Sequence, residues 1–192
     1  MYLIKLFEEF DHELIDLTNL LKQNNIPCDL WGTGKSKTIN NLLDEIKKNE
    51  CELKIISNSL TRFIEFVGVK VYYTDEDGQT WLLREDKQEF NDGRVRRRNM
   101  PNSVSEKMKS GEDPLISAIR GLREELDIKV YSHQLRKHRD LDYDGGSLSY
   151  PGLDTKYKGH KFICELEKQQ FNPIGYIEVQ SDKRTFFVWN KV

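Results

Sequence analysis

What the sequence has little of narrows the field before any motif is read. Only three of its 192 residues are cysteine, Cys28, Cys51 and Cys164, odd in number and far apart. They fit neither a disulfide framework nor a zinc-binding CxxC pair, so a reducing, cytoplasmic compartment is the simplest expectation. No apolar run approaches the ~18 residues that a membrane helix needs, so no membrane is expected as a partner. The opening MYLIKLFEEFDHELIDL mixes charges into its apolar residues and reads as neither secretory signal nor anchor. Net charge is small as well: 30 basic against 32 acidic side chains give a formal charge of -2. A general nucleic-acid coat is argued against, because such binding is driven by excess positive charge. Internal repeats and low-complexity linkers are lacking too. Aromatics are not scarce: nine Phe, eight Tyr and three Trp are too many for a disordered chain, so a packed core is expected.

The apolar pattern divides the chain in two. Leu3, Phe7, Phe10, Leu14, Leu17 and Leu21 repeat on one helical stripe over 3–21, which Pro27 prevents from continuing. A glycine-rich loop and a second helix over about 38–48 follow, with Thr38 as N-cap. From residue 51 the period becomes two, giving strands at 51–57, 62–73 and 79–86, the last two joined by the Asp77-Gly78 turn. A helix is predicted over about 114–126, and strands over 128–138, 158–166 and 184–190. Residues 139–157, rich in Gly, Asp, Ser and Tyr, read as a long surface loop. The expected division is an N-terminal extension of two helices and a strand, 1–60, and an α/β domain with a mixed sheet, 61–192.

The stretch SGEDPLISAIRGLREELDI, residues 110–128, carries the chemistry. Asp113 suits the cap and Pro114 the first helical position. Leu115, Ile119, Leu122 and Leu126 form the expected buried stripe. Gly121, Glu124 and Glu125 share one face at i, i+3 and i+4. Two carboxylates on a rigid face can hold a hard divalent cation, which takes oxygen ligands. Arg120 stands one turn before Glu124 and within reach of Glu112. The plain alternative is a solvated face with an ion pair contributing ~0.2–0.5 kcal/mol.

The whole stretch resembles the Nudix box, G-x5-E-x7-R-E-U-x-E-E-x-G-U, over about 106–128. Glu112 falls on the first Glu, Arg120 on the Arg, Leu122 on the aliphatic residue, Glu124 and Glu125 on the Glu pair and Ile128 on the last aliphatic residue. Three positions depart: Glu106 stands at the initial Gly, Gly121 at the Glu after the Arg, and Asp127 at the late Gly. The resemblance implies a Nudix-like α/β/α sandwich over 61–192, and hydrolysis of a diphosphate bond in a nucleoside diphosphate derivative with Mg2+ or Mn2+. It implies a metal and catalytic role for Glu124 and Glu125, and a structural ion pair between Glu112 and Arg120. Glu106 is a candidate substitute carboxylate by position.

The basic run holds Arg94, Arg96 and Arg98, which on a strand would point to one face and bind phosphates. A charged edge strand is the equal alternative. Tyr150 in the long loop is a candidate rim contact for a nucleotide base. The expected partner is a nucleotide-type small molecule, with a homodimer left open. The rival reading is a catalytically impaired Nudix-like module that binds a nucleotide, RNA or protein without turnover, because Gly121 removes a carboxylate.

Overall fold

The computed structural model describes residues 10–192, with side chains from Glu13 onward. It is a mixed α/β fold of one nine-stranded sheet and three helices: α1 (Phe10–Gln23), α2 (Ile39–Lys47), β1 (Glu52–Ile56), β2 (Ser59–Thr74), β3 (Thr80–Phe90), β4 (Val95–Arg96), β5 (Val104–Lys107), α3 (Pro114–Leu126), β6 (Leu135–Gly146), β7 (Asp154–Glu165), β8 (Tyr176–Val179) and β9 (Lys183–Lys191). The sheet runs β6-β7-β2-β3-β9-β8, with β1 and β5 also on β2 and β4 on β3. No helix among the described residues is long and apolar enough to cross a membrane. The start of the expected first helix, with Leu3 and Phe7, lies outside the described residues.

The chain forms two compact units, the first of residues up to 65 with 107–111 and 141–158, the second of 66–106, 112–140 and 159–192. The first contains the described part of the expected 1–60 extension and adds two later segments to it. Its core holds Leu17 and Leu21 of α1 and Leu42 and Leu43 of α2, all fully buried. Asn25 ends α1 in the left-handed region at φ 57°. Thr38 caps α2 reciprocally with Asn41: the Thr38 hydroxyl accepts the Asn41 backbone N–H, and the Asn41 side-chain Oδ1 accepts the Thr38 N–H. β1 and the start of β2 form a hairpin whose turn residues, Ser57 and Asn58, both have positive φ, as a two-residue turn matched to strand twist requires.

A buried ionic knot ties this hairpin to α2. Glu45 of α2, 4% exposed, pairs with Arg62 of β2, 3% exposed, and with Lys37 and Lys107. Burial alone would raise the Glu45 carboxyl, but Arg62 and Lys107 outweigh it and hold it at about 2.

The second unit is built on a long antiparallel ladder between β3 and β9, from Trp81 opposite Lys191 to Phe90 opposite Lys183, with a bulge between Glu85 and Lys87. α3 spans the predicted residues. Its Asp113 carboxylate accepts the Leu115 and Ile116 N–H groups at 2.9 and 3.1 Å. The buried face is shifted from the expected stripe. Ser117, Ala118, Gly121, Leu122 and Leu126 are buried, whereas Leu115 and Ile119 are only half-buried.

Two further expectations are corrected. Residues 139–157 are not one long loop, because β6 continues to Gly146 and β7 begins at Asp154. Stacking of Tyr143 on Tyr157, ring centres 4.7 Å apart, joins the two segments across the pair. The strand expected over 128–138 starts only at Leu135, since Ser132–Gln134 form a 3-10 turn.

Candidate active site

In the second unit, Glu112, Glu106 and Glu124 stand around the Arg120 guanidinium. Arg120 Nε and Nη2 donate to the two oxygens of Glu112, each at 3.0 Å, a bidentate pair. Its Nη1 donates to Glu106 at 2.9 Å and to Glu124 at 3.3 Å. Glu112 belongs to the loop before α3 and Glu106 to β5, so Arg120 ties helix, loop and strand together. Its partners raise the Arg120 pKa further and keep it cationic. Glu124 is exposed and its bond to Arg120 is an i, i+4 pair of the weak surface type.

Glu125 occupies the other side of the same face. Its carboxylate accepts the Ser105 backbone N–H. Burial raises its pKa well above the carboxylate range, and the nearby charges of Glu178 on β8 and Glu106 on β5 raise it further; the Ser105 bond and Arg98 act the other way. Sequence reasoning missed Glu178. Its strand has four residues, too short to stand out, and Pro173 and Gly175 just before it read as loop.

Gly121 is packed directly on β5. A Cβ added there would lie 2.9 Å from the Glu106 Cβ, closer than real side chains approach. Asp127 takes the left-handed conformation, φ 53° and ψ 32°, that the late glycine of the Nudix pattern would suit.

The arginine run does not form one strand face, because β4 is only two residues long. Arg94 donates to Asp92 at 2.7 Å and lies over the Phe90 ring. Arg96 is exposed on β4. Arg98 grips Glu85 of β3 with two bonds and is the member whose charge reaches Glu125. Tyr150 is not a rim residue. It lies in the first unit with no exposed surface, its ring 5.1 Å from that of Trp31 and under the Arg62 guanidinium. Its large ring serves the core there, and its N–H is turned back to Ser147.

A cavity of about 460 Å³ belongs to the first unit, and none of the α3 carboxylates lines it. Among the described residues, no three His, Cys, Asp or Glu side chains are gathered as a metal ion would hold them.

No family model and no curated protein matches the sequence. A likeness of fold alone is found among solved structures. The C. elegans Ap4A hydrolase shares 16% identity over 67% of this chain and 80% of its own, with a TM-score of 0.36. A MutT/nudix family protein from Enterococcus faecalis shares 9% over 96% and 57%, with a TM-score of 0.45. The T. brucei MERS1 protein in its RNA complex shares 18% over 59% and 40%, with a TM-score of 0.38. The chemistry of the site follows from its own side chains.

Proposed function

We propose that the protein is a divalent-metal-dependent hydrolase that cleaves a diphosphate bond in a nucleoside diphosphate derivative. The observation that carries this reading is the acidic face of α3, braced by Arg120. Glu106, Glu124 and Glu125 lie on or beside it, with Glu178 across from Glu125. All the donors are carboxylates, so they fit Mg2+ or Mn2+ in kind. Glu124 and Glu125 would hold the ion, with Glu106 beside them. Bound there, such an ion neutralises the diphosphate charge and acidifies a bound water.

The chain's own groups do the rest. Arg120 and Glu112 fix the loop before α3 against the helix, so the carboxylates need not reorganise when substrate arrives. The Ser105 N–H orients Glu125. Arg94 and Arg96, both exposed, supply positive charge for phosphate oxygens, and Arg98 is held by Glu85 on the Glu125 side. Tyr150, buried in the core of the first unit, is left out of the site.

The test is release of phosphate or nucleoside monophosphate from a panel of nucleoside diphosphate derivatives, with Mg2+ or Mn2+. Turnover is expected only with the metal, and is expected to fall at least ~100-fold in Glu125→Gln. The second reading, a module that binds a nucleotide, RNA or protein without turnover, is favoured by Gly121 and by the lack of three gathered ligands among the described residues. No release from any member of the panel by folded protein would select it.

A further inference from the structure

Two neighbouring cations of the second unit face each other without a counter-charge. Asp140 of β6 bonds His160 of β7, 2.7 Å apart. These strands are neighbours joined by a short loop and so run antiparallel, which sets the next residues, Arg139 and Lys161, opposite each other on the other face. Lys161 is half-buried, its ammonium 4.5 Å from the centre of the Phe66 ring. Burial lowers the Lys161 pKa, and the Arg139 charge lowers it further, with no carboxylate acting the other way. Among the described residues, neither cation makes an ion pair or a hydrogen bond. The Phe66 ring attracts the ammonium and offsets part of the cost, but it brings no negative charge.

A missing side chain brings a third donor to the same place. A Cβ built on Gly68 of β2 would lie 2.5 Å from Asn102 Nδ2 and 2.6 Å from Lys161 Nζ. Both tips therefore rest on the bare backbone of one residue, where any other side chain would push them off. Asn102 is only 6% exposed, and its amide gives one N–H to Ser105 Oγ at 3.0 Å, which leaves the second. The place thus gathers two positive charges and a buried amide from β6, β7 and the turn before β5. Packing alone gives no reason to sink an ammonium beside a guanidinium, since an apolar side chain would fill the same space without the repulsion.

We infer that Arg139, Lys161 and Asn102 form a binding site for a phosphate group, free or carried by a nucleotide. A doubly charged tetrahedral anion supplies the counter-charge that both cations lack. It accepts from the Lys161 ammonium and the Asn102 amide, with the fork of the exposed Arg139 on its solvent side. None of these residues belongs to the α3 site and the binding needs no metal, so it stands or falls apart from the proposed hydrolysis.

The test is calorimetric titration of the full chain with inorganic phosphate, and separately with adenosine 5′-monophosphate, in EDTA and at constant ionic strength. Wild type is compared with Lys161→Met, Arg139→Gln and Lys168→Ala. Lys168 pairs with Glu76 on the surface and controls for the loss of one positive charge. Wild type is expected to bind phosphate, Lys161→Met and Arg139→Gln to bind it at least ~10-fold more weakly, and Lys168→Ala to bind it as wild type does. Lys161→Met keeps the apolar stem and removes a repulsion, so it is expected to melt no lower than wild type without phosphate, which separates lost binding from lost folding. Tighter binding of the nucleotide than of phosphate, abolished in Lys161→Met, would name a nucleotide as the source; equal binding would name the phosphate group alone. No binding of either ligand by wild type, or equal binding by Lys161→Met, overturns the inference.

Discussion

Asp127 holds a helix-ending backbone conformation that favours glycine while carrying a side chain. It ends α3 at φ 53°, where a glycine has no Cβ penalty and an aspartate retains part of one. Its pair with Arg123, 3.3 Å apart, joins two exposed side chains and offsets little of that. Asp127→Gly is therefore expected to stabilise the fold by about 0.5–1 kcal/mol, raising the melting temperature by a few degrees. A thermal melt checks it; an unchanged or lower midpoint would mean that the Arg123 contact outweighs the strain. Gly175 is the opposite case. At φ 86°, its Cβ would meet the Phe187 carbonyl oxygen at 1.9 Å, so no other residue fits. Neither requirement is legible in the sequence, because both come from backbone conformation and a partner distant along the chain.

At the scale of elements, legibility follows the strength of the local signal. α2 and α3 announce themselves through caps, Thr38 and Asp113, and match the predicted spans within a residue or two. β2, β3 and β9 carry enough alternating apolar residues to be found. β4, β5 and β8 have two to four residues each, too few to show an alternation, so nothing local marks them. That is why half of the candidate site was hidden. The helix carboxylates could be read from their spacing, whereas Glu178 could not, and the contact of Glu106 with Gly121 depends on β5 passing beneath α3.

The tie between α2 and β2 makes a prediction of its own. Glu45 titrates near 2 in the folded protein, below its unfolded value of 4.5. Its charged form therefore contributes stability that is fully present above about pH 4.5 and is lost as pH falls toward 2. The difference corresponds to roughly 3 kcal/mol. Urea unfolding between pH 7 and 3 is expected to show this loss. Glu45→Gln, less stable at pH 7 because Arg62 is left buried without its counter-charge, is expected to show a shallower pH slope. Parallel slopes in the two proteins would remove Glu45 from the account.

At the scale of the whole molecule, the pairing of 1–60 with later segments matters more than its position as an extension. Trp31 Nε1 donates to the Pro151 carbonyl at 2.9 Å, and Lys37 N–H to the Ser149 carbonyl at 2.8 Å. Tyr150 is covered by Trp31, and Arg62 is neutralised by Glu45. A chain starting at residue 61 would keep Arg62 and Tyr150 but lose what covers and pairs them. It is expected to lose a cooperative thermal transition, as followed by circular dichroism. A sharp transition at the full chain's midpoint would show that 61–192 stands alone.

β2, β6 and β7 each begin in one compact unit and finish in the other. Neither unit is a contiguous stretch, so no single crossover, protease nick or fusion point yields either one whole.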